Sequence, residues 1–180
     1  LIPITSANLD TEVIPFGSVG EFLKLSAESE QAYTYTVAWV DCLGLRGRIG
    51  QGIFTRARHS DIGPLKVHTP GRLTIPMEAP GFCLTRYSLF GFNTAYRFAA
   101  GLKHRKTTHY EPFFYPLDAI GQWNLLYGRK GFFQYQCVVP SSEAEPALTK
   151  MLQAIAASGE GSFLSVLKTF GNVASPGLLS

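Results

Sequence analysis

Hydrophobic and polar residues alternate with a period of two in four stretches of the chain, residues 33–42, 52–59, 132–139 and 162–170. Successive side chains of a β-strand point to opposite faces of its sheet, so this alternation predicts four strands. The first two stretches are separated by a short glycine-rich segment and are expected to pair with each other.

Two further stretches carry weaker strand signals. The basic segment Lys103–His109 is interpreted as an edge strand protected by its charge, or alternatively as a contact for an anionic substrate or a membrane surface. The aromatic residues from Phe113 predict a strand that ends at Pro116, because proline cannot donate to a ladder. A short helical turn carrying Trp123 and Tyr127 is expected next.

Three stretches repeat apolar residues at the spacing of one helix face. The first follows a capping box formed by Ser18 and Glu21 and is expected to end near Glu30. The second, capped by Thr85, runs from about residue 86 to 99. The third ends at residue 158 and is expected to begin at another capping box, formed by Ser142 and Glu145, and to pack on the sheet.

These elements predict an α+β fold in which helices pack on one face of a mostly antiparallel sheet. Residues 1–14 are interpreted as a connector, with a turn at Asn8–Asp10, and residues 15–180 as one domain. The chain has 180 residues, of which 46% are hydrophobic, so it can form a core and is not expected to be disordered.

Composition excludes several classes of protein. The net charge of +3 is too small and too scattered to indicate a nucleic-acid partner, and no apolar run reaches the length of a membrane span. The chain has an odd number of cysteines, Cys42, Cys83 and Cys137, and no CxxC pair. This pattern favours a reducing compartment, in which each cysteine is a small residue of the core. No histidine spacing typical of a metal site occurs, so no metal is predicted. Because no signal peptide is recognised, a cytoplasmic location is expected.

Several charged residues leave two interpretations open. Asp41, at the end of the first predicted strand, is either a solvated edge residue or a site residue. Arg46 and Arg48 lie in the glycine-rich segment, which is either a flexible connection or a phosphate-binding loop. Arg56 and Arg58 share one face of the second strand and are either solvated or able to bind phosphate together.

Lys168 is the most informative charge, because it shares one face of the last predicted strand with apolar residues. A lysine on an apolar face either extends its ammonium to water or is held in a pocket. A second polar feature is the pair Gln134 and Gln136, which the alternation places on one strand face. Buried amides need hydrogen-bond partners, so this pair suits a polar pocket better than a dry core.

Three blocks of sequence, YTVAWVDCLG, YPLDAIGQWNLLYGRKGFFQYQCVVP and SGEGSFLSVLKTFG, follow one another along most of the chain. Together they resemble the substrate domain of FAD-linked oxidases of the vanillyl-alcohol oxidase superfamily. The resemblance implies that residues 15–180 are a substrate-binding (cap) domain, incomplete at its C-terminus, and that the connector leads from an absent flavin-binding domain.

The resemblance also implies which residues form the site. Lys168 is implied as the catalytic residue. The substrate-binding residues implied are Trp123, Gln134, Gln136, Leu164, Val166 and Phe170. The family's tyrosine at the strand-to-turn position is replaced by Phe114, with a tyrosine one place later at Tyr115, so no role is assigned to a phenol there.

The activity implied is oxidation of a secondary alcohol of a sugar or sugar-phosphate-like substrate, with hydride transfer to FAD. Implied partners are a small-molecule sugar or polyprenyl-phosphate-sugar and a short-chain reductase enzyme, and the implied location extends to the periphery of the inner membrane. FAD is expected in the full-length protein and not in this piece, which alone is expected to be inactive and to dimerise through an open sheet edge. The alternatives are a sugar-lactone or other alcohol oxidase of the superfamily, or a flavin-free binding domain.

Overall fold

The structure is a computed structural model, which describes residues 3–44, 48–69, 73–78, 80, 85–101, 105–118, 120–128, 131–162 and 164–171. The strands are β1 Asn8–Phe16, β2 Tyr35–Val40, β3 Gly52–His59, β4 Leu73–Thr74, β5 Arg105–His109, β6 Ile120–Gly121 and β7 Val166–Leu167. The α-helices are α1 Val19–Ser29, α2 Arg86–Gly101, α3 Tyr110–Phe114 and α4 Ala144–Ser158, and the two 3-10 helices are Trp123–Tyr127 and Ser141–Glu143.

The five main strands form one antiparallel sheet in the order β5-β1-β3-β2-β7. A separate parallel pair joins β4 to β6. The predicted α+β class and the predicted pairing of β2 with β3 are therefore confirmed. β5 is an edge strand, as its basic sequence indicates.

One face of the sheet, called here the packed face, is covered by α1 and α4. Phe22 of α1 lies between Phe16 and Phe54 of the sheet, with ring centroids 5.8 and 6.1 Å away. Leu152 of α4 joins the buried cluster that contains Val40 of β2. Every one of these side chains is buried, so the main hydrophobic core lies between this face and the two helices.

The opposite face, called here the open face, carries Tyr35, Val37 and Trp39 of β2, because Ala38 and Val40 point into the core on the other side. It is covered only in part by the described residues. Tyr96 of α2 packs edge-on against Trp39, with ring centroids 5.1 Å apart. The helices therefore do not all lie on one face.

The turn predicted at Asn8–Asp10 is wrong, because these residues begin β1. This strand pairs with β3, from Leu9 opposite His59 to Phe16 opposite Gly52, and with β5 on its other side. Asn and Asp favour turns through local hydrogen bonds. That preference is overridden here by a ladder on both sides of the strand and by burial of alternate residues such as Leu9.

Of the two predicted capping boxes, one is confirmed. The Ser18 hydroxyl accepts a hydrogen bond from the Glu21 N–H at 3.2 Å, and the Glu21 carboxylate accepts one from the Gly17 N–H at 2.6 Å. The box at Ser142 and Glu145 is wrong. Ser142 lies inside a 3-10 turn, and the residue that caps α4, Glu143, makes no side-chain cap hydrogen bond. The ends of α1 and α4 agree with the prediction.

The strand predicted from Phe113 is wrong, because residues 110–114 form α3. The His109 ring accepts a hydrogen bond from the Glu111 N–H, and Pro112 is tolerated in the first turn of a helix. These local N-terminal signals outweigh the strand preference of the aromatic residues.

The strand predicted over residues 132–139 is also wrong, since residues 131–140 have no regular structure and pair with no described strand. Alternation predicts which residues would share a face of a strand, but it does not predict which other strand would pair with it. The final strand is confirmed but short, because only Val166 and Leu167 pair, with Trp39 and Ala38. α2 is confirmed and ends at Gly101.

Candidate functional site on the open face

The predicted site residues at the end of the chain form one exposed strip beside β2. Val166 lies opposite Trp39 in the ladder. Leu167 packs into the core of the packed face, and the Thr169 hydroxyl contacts the Ser26 hydroxyl of α1. Because its two neighbours point to the packed face, Lys168 is directed to the open face. We call Leu164, Val166, Lys168 and Phe170 the β7 strip.

The β7 strip exposes apolar side chains around its ammonium. Val166 is 47% exposed and Phe170 is 82% exposed, and Lys168 is exposed as well. The described residues therefore do not bury Lys168 in a pocket. An apolar surface next to a positive charge is instead available for a flat or partly anionic ligand or for another part of a larger protein.

The other predicted site residues do not join this strip. Trp123 is half-buried and packs against Tyr127 and Phe132, at ring-centroid distances of 6.2 and 5.7 Å. Gln134 and Gln136 are exposed on the irregular segment 131–140. The polar strand face on which the pair was predicted is not formed, so their role in substrate binding stays a prediction.

Trp123 instead lines a cleft of about 760 Å³ between α3, the following turn and the loop after β3. The lining residues are His68, Thr74, Glu111, Pro112, Tyr115, Leu117, Asp118, Ile120, Gly121, Gln122 and Trp123. Gln122 has φ 56° and ψ 34°, a left-handed conformation that is uncommon for a residue other than glycine. The cleft combines aromatic, imidazole and carboxylate groups, and apart from Trp123 its residues were not among the predicted ones.

Asp41 is neither a solvated edge residue nor an open site residue, because it is 4% exposed. Its carboxylate accepts hydrogen bonds from the Leu43 N–H at 3.0 Å and from the Asn93 side-chain amide of α2 at 2.7 Å. Asn93 is buried too, and its carbonyl oxygen finds no hydrogen-bond partner among the described residues. This network attaches α2 to the end of β2.

Arg56 is neither solvated nor free to bind phosphate. Its guanidinium donates to the Glu12 carboxylate at 2.6 and 2.8 Å and lies 4.4 Å from the ring centre of Tyr33. Although partial burial raises the pKa of the Glu12 carboxyl, hydrogen bonds from Arg56, Tyr33 and Arg105 outweigh that effect and hold the pKa at about 2. Arg58 remains exposed, and Arg46 lies outside the described residues.

The two described cysteines differ. Cys42 is buried, as predicted, and burial raises the pKa of its thiol, which favours the neutral thiol over the thiolate. Cys137 is exposed on segment 131–140, so the prediction of a core residue is wrong for it. Cys83 lies outside the described residues.

Two groups on the open face were not predicted from the sequence. Trp39 lies beside the β7 strip, a proximity that depends on strand order. The Tyr35 hydroxyl is 3.0 Å from the His59 ring, whose other nitrogen is buried without a partner among the described residues. The alternation of β2 and β3 places both side chains on one face, but their register could not be read from the sequence.

Comparison with known proteins relates the chain to the FAD-linked oxidases, which confirms the resemblance carried by its three sequence blocks. No family model matches the chain. One relative is the decaprenylphosphoryl-beta-D-ribose oxidase of Mycolicibacterium smegmatis, which is 31% identical over 165 residues, covering 86% of this chain and 36% of the relative. The chain therefore spans about a third of the length of that oxidase.

Within the described residues, no helix has both the length and the apolar composition needed to cross a membrane. The longest described helix, α2, has 16 residues and carries polar residues along its length.

Proposed function

We propose that this chain is the substrate-binding part of an FAD-dependent oxidoreductase that oxidises a secondary alcohol of a sugar or sugar-phosphate-like substrate. The observation that carries the proposal is the β7 strip, an exposed apolar strip around a lysine. It belongs to a chain that is similar, over 86% of its length, to a protein named as a decaprenylphosphoryl-ribose oxidase. Exposed apolar strips of this kind usually serve binding.

The groups on the open face fit a flavin and a sugar. Val166 and Phe170 offer apolar contact to a flat ring or a lipid portion, and Trp39 offers an aromatic wall beside them. Lys168 offers three hydrogen-bond donors and a positive charge. When bound, FAD would supply the acceptor for the hydride, so the residues of this chain would bind and orient the alcohol and stabilise the charge that develops on its oxygen.

The ammonium of Lys168 would act by electrostatics. Oxidation of the alcohol to a ketone would transfer a hydride from the carbinol carbon to FAD and the hydroxyl proton to water or to a base of the full-length protein, and partial negative charge develops on the oxygen as that proton leaves. A positive group fixed near that oxygen, or near a phosphate of the substrate, stabilises this charge more than it stabilises the neutral alcohol. Gln134 and Gln136 are proposed to bind sugar hydroxyls, which requires segment 131–140 to be brought to the open face in the whole protein.

The decisive experiment substitutes Lys168→Met in the full-length protein, since methionine keeps most of the aliphatic bulk and removes the charge. Under anaerobic conditions the rate of flavin reduction by substrate is expected to fall by a factor of about 10², the scale of losing one electrostatic stabiliser. The melting temperature is expected to stay within about 2 °C, because the ammonium is exposed.

Lys150→Met is the matched control, because Lys150 is an equally exposed lysine on α4, which packs on the other face of the sheet. It should reduce its flavin at the wild-type rate. Gln134→Leu is expected to act more mildly and mainly on substrate affinity. If Lys168→Met reduces its flavin at the normal rate, the β7 strip is not part of the substrate site.

A further inference from the structure

Two histidines and a glutamate meet beside the cleft, although they come from three separate parts of the chain. His68 belongs to the loop after β3, His109 ends β5, and Glu111 begins α3. One potential ligand atom from each of them lies within 4.8 Å of the others. The two imidazole rings are nearly parallel, at 26°, and their centroids are 5.1 Å apart.

The hydrogen bonds of His109 fix which of its nitrogens has a free electron pair. Nε2 lies 2.8 Å from the carbonyl oxygen of Lys66, and a carbonyl can only accept, so Nε2 carries the proton. Nδ1 is therefore the nitrogen with the lone pair. Histidines that bind metals usually donate their other N–H to a backbone carbonyl in this way, because it holds the ring and its tautomer in place.

We infer that His68, His109 and Glu111 form a binding site for a divalent transition metal of the zinc class. Imidazole nitrogen with one carboxylate is a ligand set that suits zinc and its neighbours, whereas calcium and magnesium require oxygen ligands. With Zn–N distances of about 2.0–2.1 Å, two imidazoles on one tetrahedral ion have ring centres about 5 Å apart. The observed 5.1 Å agrees with that value.

Binding requires the ligand atoms, which lie within 4.8 Å of one another, to move to the separation of about 3.4 Å that tetrahedral coordination sets, and it requires one hydrogen bond to be replaced. Nδ1 of His109 now accepts a hydrogen bond from the Glu111 N–H at 3.2 Å, which is long for such a bond. A metal ion would bind the Nδ1 lone pair that now accepts the Glu111 N–H. The carboxylate of Glu111 would then serve as a second ligand to the ion. His68 and Glu111 both line the cleft, so the remaining coordination position opens into it, where a water or a small ligand would bind.

The site would add a second link between His109 of the sheet and the loop of residues 61–69, which already hydrogen-bonds to residues 5–8 and, through the Lys66 carbonyl, to His109. Residues 61–69 are mostly exposed and contain no helix or strand, and Lys66 lies in this loop. A metal ion that holds His68 against His109 would restrict the chain on either side of the Lys66–Val67 bond. The expected consequence is slower cleavage by trypsin after Lys66 when the metal is bound.

The test uses the metal-free protein with a Cys137→Ser change, which removes the one exposed thiol among the described residues. Isothermal titration with zinc chloride is expected to show one site per chain. Titration with cobalt is expected to give visible absorption bands of a four-coordinate ion without a thiolate charge-transfer band.

His68→Gln is expected to lower zinc affinity by at least about 100-fold, and Glu111→Gln by about 10-fold or more. Both variants keep the Glu111 backbone N–H that donates to His109. Glu143→Gln removes an exposed carboxylate elsewhere and should leave the affinity unchanged. Circular dichroism should show that each variant is folded.

Either of two results would overturn the inference. One is the absence of stoichiometric zinc binding at micromolar concentration. The other is binding that His68→Gln and Glu111→Gln leave at the level of Glu143→Gln. In either case His68 and His109 are a pair of stacked rings without a metal. Trypsin digestion of the same variants is a second measurement, since zinc should protect Lys66 in the Glu143→Gln protein and not in His68→Gln.

Discussion

Phe22 and Phe133 are the same residue type in opposite surroundings. Phe22, on α1, is 2% exposed and lies between two other phenylalanine rings, whereas Phe133, on segment 131–140, is fully exposed. The packed face has a second layer of helices, and segment 131–140 has no covering layer among the described residues. Burial of an aromatic residue thus depends on what lies opposite it and not on its own hydrophobicity.

A similar contrast separates the packed face from the β7 strip. The packed face contains a buried cluster that stabilises the domain, and the β7 strip is exposed, although other residues of the open face, such as Leu9 and Ile53, are buried. Residues that stabilise a fold and residues that bind a ligand are expected to separate in this way, because a binding surface must stay accessible until its ligand arrives. Substitutions in the packed-face cluster and in the β7 strip should therefore affect different measurements.

The largest expected effect is that of truncating Phe22. Phe22→Ala should lower the free energy of unfolding by about 3–5 kcal/mol, because it leaves a cavity between Phe16 and Phe54. Phe133→Ala removes the same atoms from an exposed position and should change stability by less than about 0.5 kcal/mol. Urea denaturation followed by circular dichroism measures both, and equal losses in the two variants would refute the comparison.

A smaller loss is expected at Asp41, which joins α2 to the sheet. Asp41→Ala leaves the Leu43 N–H and the Asn93 amide without their acceptor, so stability should fall by roughly 2–3 kcal/mol. A double-mutant cycle with Asn93→Ala should show coupling between the two positions. Additive effects would mean that the hydrogen bond does not hold α2 in place.

Acid should weaken the packed face through Glu12. Its pKa is about 2 in the folded protein and about 4.5 when unfolded, so the unfolded chain binds its proton first as the pH falls. The contribution of this carboxylate is therefore complete above pH 4.5 and is lost as the pH falls from 4.5 through 2. After discounting for Arg105, which is 80% exposed, the expected loss is roughly 1–2 kcal/mol.

Glu12→Gln should reduce the dependence of stability on pH within this window. Glu28→Gln is the control, because the Glu28 carboxylate is exposed and its lysine partner lies 3.9 Å away. Denaturation at several pH values between 2 and 5 would show the difference. The same pH dependence in Glu12→Gln and wild type would disprove the role assigned to the Glu12 network.

The smallest effect is expected in the cleft. Gln122 adopts a left-handed conformation at the start of the 3-10 helix, and glycine adopts it without steric cost. Gln122→Gly should therefore raise stability slightly, by up to about 1 kcal/mol, whereas glycine at exposed Gln153 within α4 should lower it by a similar amount. A loss of stability in Gln122→Gly would indicate that the glutamine side chain supports the cleft.

The sequence by itself determined the elements whose signals are local. The alternation of β2 and β3, the capping of α1 by Ser18 and the helical spacing of α2 and α4 each depend on residues a few positions apart. The resemblance to FAD-linked oxidases could also be read from the sequence, because it depends on three blocks of residues along the chain. The last of these blocks contains the residues of the β7 strip.

Only the tertiary structure decided which segments meet. β1 was mistaken for a connector because its stability comes from β3 and β5, which are far away in sequence, and residues 132–139 alternate correctly but find no described strand to pair with. The proximity of His68 to His109 likewise depends on how the loop after β3 folds back on β5. Periodicity records which side chains share a face, whereas pairing and clustering depend on long-range contacts that no local pattern specifies.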